Sequence, residues 1–224
     1  MAFFCALILS TGILSGQEKE KQQYQESSLG LSSLYRGSIP AVYAFRYNGT
    51  YYWESRDFQE GSVMFNGKVY DRVLLNVDSY RMQLLVKASP DLSAAEVYRD
   101  QVAWFTMNGR KFVNLRYIGY ENAPEGFFEL IRDGETPLLI QVRKDFQSMP
   151  GNQNGGAIGY YDPDYDPSVI TFFQQRKYYY MISNGNVLKI RKKAFEKNLL
   201  KPSGTPILEN LLNQWKPILN SWRK

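Results

Sequence analysis

The sequence predicts a mainly β protein, an antiparallel meander of hairpins folded as a sandwich or partial barrel, with α-helices at the C-terminal end. Three observations carry that expectation. Short aromatic and β-branched runs are separated by Asn-Gly or Asp-Gly dipeptides, which favour the tight turns joining antiparallel strands. Within several runs apolar and polar residues alternate, the period of a sheet covered on one side. Only after Ile190 does the apolar spacing change to that of a helix.

The hairpins follow in order. Val42–Tyr47 and Thr50–Trp53 flank Asn48-Gly49; Val63–Phe65 and Lys68–Val77 flank Asn66-Gly67. Val102–Met107 and Arg110–Tyr117 flank Asn108-Gly109, and Phe127–Arg132 and Leu138–Phe146 flank Asp133-Gly134. Between Val69 and Val77 one face carries Val69, Asp71, Val73, Leu75 and Val77, and the other Tyr70, Arg72, Leu74 and Asn76. Asp78-Ser79 turns the chain into Tyr80–Lys87. Val169–Phe173, Lys177–Ile182 and Val187–Ile190 read as three further strands. Lys192–Leu200 then predicts a short helix. After Thr205-Pro206, a cap and first-turn proline, an apolar stripe runs from Ile207 to Trp222 and is expected to pack on the sheet.

Residues 1–16 read as an export signal. Positions 2–14 form an apolar block of signal-peptide length, too short to span a membrane, and Gln17 opens a polar run. No basic residue precedes Lys19, which points to a start further upstream; Phe3-Phe4 before Cys5 argues against a lipid anchor. Residues 17–33 read as a flexible leader, 34–190 as the β domain and 191–224 as the helical segment. Cleavage after Gly16 removes the only cysteine, and the chain has no histidine. The mature chain is then expected to lack disulfides, Cys nucleophiles, Ser-His-Asp triads and His-ligated metals.

No residue is singled out as catalytic. Asp162, Asp164 and Asp166 place three carboxylates at alternate positions, the pattern by which early ligands of a calcium loop converge. A long solvated loop from Pro150 to Pro167 explains the same residues more simply. Tyr160, Tyr161 and Tyr165 in that loop are the candidate ligand-binding rings. Calcium is the one cofactor in view. Among Glu54, Asp57, Glu60, Asp71, Asp78, Glu125 and Glu129, sequence alone selects no pair for glycoside hydrolysis.

Charge is uneven: nine basic residues from Lys189 to the C-terminus face only Glu196 and Glu209. Such an end attracts anionic surfaces, lipid headgroups or acidic glycans among them. Export makes nucleic acid an unexpected partner, and no transmembrane span is expected in the mature chain.

The blocks Gly61–Tyr70 (GSVMFNGKVY) and Val73–Leu84, then Gly126-Phe-Phe-Glu129 with Asp133-Gly134 and a Lys-rich helical end, resemble an uncharacterised exported protein family of Bacteroidetes. The similarity runs from about Tyr35 to Leu212. It implies export, and it transfers no functional residue. The function expected is binding or structural, in the periplasm, at the outer membrane or outside the cell. A carboxylate-dependent glycan hydrolase and a calcium-stabilised adhesin-like module are the alternatives.

Overall fold

The computed structural model describes residues 33–40, 42–43, 47–148 and 171–210. They contain ten strands: β1 (Gln59–Phe65), β2 (Lys68–Asp78), β3 (Gln83–Lys87), β4 (Ala95–Glu96), β5 (Val102–Met107), β6 (Arg110–Val113), β7 (Phe128–Arg132), β8 (Leu138–Ser148), β9 (Thr171–Ser183) and β10 (Asn186–Ile190). One helix, α1 (Lys192–Leu199), follows. The strands make one antiparallel sheet in the order β10-β9-β8-β7-β6-β5-β1-β2-β3-β4. Two meanders, β1–β4 and β5–β10, are thus joined where β1 pairs with β5. The predicted fold class is the observed one.

Three dipeptides make the turns their chemistry favours. Asn66-Gly67, Asn108-Gly109 and Asn184-Gly185 have positive φ at both residues, as a type I′ turn requires. Asn48-Gly49 does not build the expected hairpin. Only Gly49 is left-handed (φ 76), and the flanking chain pairs with distant strands. Asn48 N–H donates to the Thr171 carbonyl (3.0 Å) and its own carbonyl accepts from Phe173 N–H (3.3 Å). Four residues on, Tyr52 bridges to Asp78. Residues 47–53 therefore form a strap from β9 to the end of β2.

The strap shows that the sheet is curled. β2 and β8 lie five strand spacings apart, about 24 Å along a flat sheet, yet Lys144 N–H on β8 donates to the Ser79 carbonyl just after β2 (3.0 Å). The sheet does not close, because β10 and β4 remain its edges. On the inner side Val63, Val73, Leu75, Leu84, Phe105 and Phe112 form the larger core. On the outer side Met64, Val113, Phe128, Leu139 and Tyr180 pack under Leu115, Ile118, Ala123 and Leu208. The central strands are covered on both faces, where the alternation predicts one. Val63, Met64 and Phe65 on β1 are accordingly all buried, alternating between the two cores.

The alternation of β2 also breaks. Arg72 adopts φ 56, and the pairing slips between Gly61–Val73 and Val63–Tyr70. This bulge sends Tyr70 into the inner core and leaves Val69 exposed, reversing their expected faces, because one extra residue inverts every side chain beyond it.

Asp133-Gly134 has a second role besides joining β7 to β8. The Asp133 carboxylate accepts the N–H groups of Ile207 and Leu208 (both 3.1 Å) and of Glu209 (3.0 Å). It caps the helical residues Leu208–Asn210 in the place expected for Thr205. A side chain at Gly134 (φ 141) would meet the Ser203 carbonyl at 1.7 Å, so glycine is what allows the C-terminal segment to dock there.

Candidate functional site

Asp162, Asp164 and Asp166, with Tyr160, Tyr161 and Tyr165, lie outside the described residues, as do residues 1–32 and the stripe beyond Asn210. Among the described residues no group of three or more His, Cys, Asp or Glu is placed to hold a metal. No helix there is long and apolar enough to cross a membrane. Polar side chains do converge at four other places.

The first is beneath the strap. Asp78 Oδ1 accepts the N–H groups of Tyr80 and Arg81 (both 2.9 Å), and Oδ2 accepts the Tyr43 hydroxyl (2.6 Å). Lys144 Nζ donates to the Thr50 carbonyl (2.6 Å). Burial pushes the Asp78 carboxyl up, against the pull of these hydrogen bonds. Burial lowers the Lys144 amine to about 8, opposed by the charge of Asp78. Around them Phe173 meets Tyr43, Tyr47, Tyr51, Tyr80 and Phe146 at centroid distances of 4.9–5.8 Å, a range suited to edge-to-face packing. Burial and the bond to Asp78 raise the Tyr43 hydroxyl well above the usual phenol range. Ser79 Oγ, fully buried, has no hydrogen-bond partner among the described residues, so it forms no nucleophile–base pair with the lysine. This cluster fastens the strap.

The second joins two carboxylates from the sequence pool. Arg110 NH1 lies 3.2 Å from Glu54 Oε1 and 3.5 Å from Glu129 Oε1, with its guanidinium 4.8 Å from the Trp53 ring. Burial raises Glu129; Arg110 opposes that and Glu54 adds to it. The adjoining cavity holds about 160 Å³ between Trp53, Glu54, Asp57, Asn76 and Met107, below the about 300–1,000 Å³ of ordinary ligand pockets.

The third and fourth are two larger open cavities. One of about 340 Å³ lies by β4 and is lined by Arg81, Glu96, Arg99 and Asp100. Arg81 pairs with Glu96, and Arg99 with Glu125 (2.9 Å), so its charges are internally balanced. The other, about 320 Å³, is on the outer face of β8–β10 and is lined by Pro124, Gln141, Arg143, Asp145, Tyr178, Tyr180 and Lys189. Asp145 is its one carboxylate and pairs with Arg176 (2.7 Å).

Sequence reading missed this outer cavity. Its signal was the polar alternation Gln141, Arg143, Asp145 on β8 against Tyr178 and Arg176 on β9, and Lys189 was counted only as part of a basic tail. The pairing of Glu54 with Glu129 had no sequence signal, since residues far apart in the chain meet through the register of the sheet.

Comparisons with protein-family models, with curated proteins and with solved structures gave no match for this chain.

Proposed function

We propose that this chain is an exported binding protein of the cell envelope, acting by surface recognition. The observation that supports recognition over bond cleavage is the clamp at Arg110. Carboxylate hydrolysis needs a proton on one acid and open space between the two, whereas here one guanidinium bridges Glu54 and Glu129. The apolar block of residues 1–16 and the resemblance to exported proteins support the location.

Fractionation of the native host with mass spectrometry of the protein's N-terminus tests the location. A mature end near Gln17 in the envelope or medium is expected, and an intact Met1 in the cytosol overturns export. The raised Glu129 carboxyl favours the hydrolase alternative. Release of reducing ends from envelope glycans, abolished in Glu129→Gln, would therefore overturn the binding reading.

A further inference from the structure

The outer cavity differs from the other two in its uncompensated charge. Register places Gln141 opposite Tyr178, Arg143 opposite Arg176, and Tyr180 between Leu139 and Lys189. Residues directly opposite share a face, so all of these project to the outer side. Two arginines face each other across neighbouring strands, an arrangement that costs stability. The nearest carboxylate, Asp145, is engaged by Arg176. Among the described residues no carboxylate pairs with Arg143 or Lys189; Lys189 lies over the Tyr178 ring at 4.1 Å.

The walls add to this. Gln141 is buried and anchored, donating Nε2 to the Glu125 carbonyl (2.8 Å). That bond holds the loop at Pro124 against the floor. The cavity thus offers a planar guanidinium fork, an ammonium, the half-buried Tyr178 and a proline ring, above a floor of buried Gln141 and Tyr180. Its volume of about 320 Å³ is at the small end for ligand sites.

We infer that this cavity binds the carboxylate-bearing sugar unit of an acidic glycan, with Arg143 and Lys189 taking the carboxylate and Tyr178 and Pro124 meeting the sugar ring. Arginine matches a carboxylate with two parallel N–H donors, and a tyrosine offers a pyranose an apolar body to pack on and a hydroxyl for its own hydroxyls. A flat lipid surface would leave the concave floor at Gln141 unused. The inference rests on the binding reading above and names its ligand class.

The test is calorimetric titration of the mature chain with trigalacturonate, maltotriose, inorganic phosphate and phosphatidylglycerol vesicles, at low and high salt. Trigalacturonate is expected to bind, more weakly in salt as exposed charges are screened, and maltotriose and phosphate to bind at least about tenfold more weakly. Arg143→Gln is expected to cost about tenfold or more, Lys189→Gln somewhat less, and Arg143→Lys an intermediate amount because the fork is lost and the charge kept. Arg56→Gln, an exposed arginine elsewhere, should change nothing. Near-ultraviolet dichroism verifies that each variant is folded. Failure of trigalacturonate to bind folded protein overturns the inference, as does binding indifferent to Arg143. Equal affinity for phosphate, or Arg143-dependent capture by vesicles without trigalacturonate binding, overturns the sugar assignment. A protein found in the envelope that fails these titrations loses this ligand class and keeps the broader reading.

Discussion

Lys144 and Arg143 are neighbours on β8 and project to opposite sides of the sheet. Lys144 is buried under the strap, donating to Thr50 and balanced by Asp78. Arg143 stands on the outer face, opposite Arg176 and without a carboxylate of its own. One strand therefore carries a cation whose partners belong to the fold and a cation whose partner the described residues do not provide. The first kind of charge holds structure together. The second is the kind a ligand completes.

That contrast is broken most directly at Asp78. Asp78→Ala removes the acceptor of two N–H groups and of the Tyr43 hydroxyl, together with the charge that balances the buried Lys144, and is expected to cost about 3 kcal/mol. For a domain of this size the melting temperature should fall by about 10 °C. Asp145→Ala, removing the exposed pair with Arg176, should stay within about 0.5 kcal/mol. Urea melts of both variants decide the matter; equal losses would mean that the strap cluster has no special weight.

Asp133, in the turn between β7 and β8, is another carboxylate engaged by backbone N–H groups. Asp133→Ala removes the acceptor for three N–H groups at the start of the C-terminal helical residues. The expected cost is about 1–2 kcal/mol, the range of a helix N-cap. Hydrogen exchange should show the loss concentrated at Ile207–Glu209, with β1 and β5 unaffected; uniform acceleration over the sheet would contradict local capping.

The buried lysine also leaves a mark on the pH dependence. Its folded value, about 8, lies below that of a free amine, so above pH 8 the unfolded chain holds the proton more tightly. Stability must then rise with pH until the unfolded lysine titrates. Linkage alone gives about 2 kcal/mol between pH 8 and 10; screening of the partly open amine and the first ionisation of unfolded tyrosines reduce the expected gain to about 1 kcal/mol. Beyond that, the raised hydroxyls of Tyr43 and Tyr51 reverse the trend, because the unfolded phenols ionise first. Lys144→Met should flatten the rise and spare the fall. A wild-type curve that only declines above pH 8 would contradict a lysine buried at the cost of its charge.

The fold was legible where chemistry is local. Asn66-Gly67, Asn108-Gly109 and Asn184-Gly185 demand left-handed backbone at two successive residues, and few structures other than a hairpin supply it. Asn48-Gly49 carries the same dipeptide and fails, since its flanks find better partners at Thr171 and Asp78 across the curled sheet. The bulge at Arg72 was hidden because a period of two contains no notice of where it slips. The sites were less legible for the same reason. Glu54 and Glu129 reach the same arginine, and Arg143 and Lys189 line the same cavity, through strand register and curvature, neither of which is written in any window of sequence.

The smallest expected effect gives the cleanest contrast, because its sign is reversed. In the absence of ligand, Arg143→Gln removes one of two like charges facing each other across β8 and β9, and should stabilise the protein by about 0.2–0.5 kcal/mol. The glutamine keeps much of the aliphatic stem that packs on the sheet, so little apolar contact is lost. Repulsion between exposed charges is screened by salt, so the difference between variant and wild type should shrink from low salt to about 0.5 M. Trigalacturonate should turn the difference in the wild type's favour by binding its folded state more tightly. Paired melts with and without salt and ligand measure all three differences. Were Arg143→Gln to destabilise the ligand-free protein by as much as 1 kcal/mol, Arg143 would belong with Lys144 among the charges the fold itself requires, and the two sides of β8 would no longer differ.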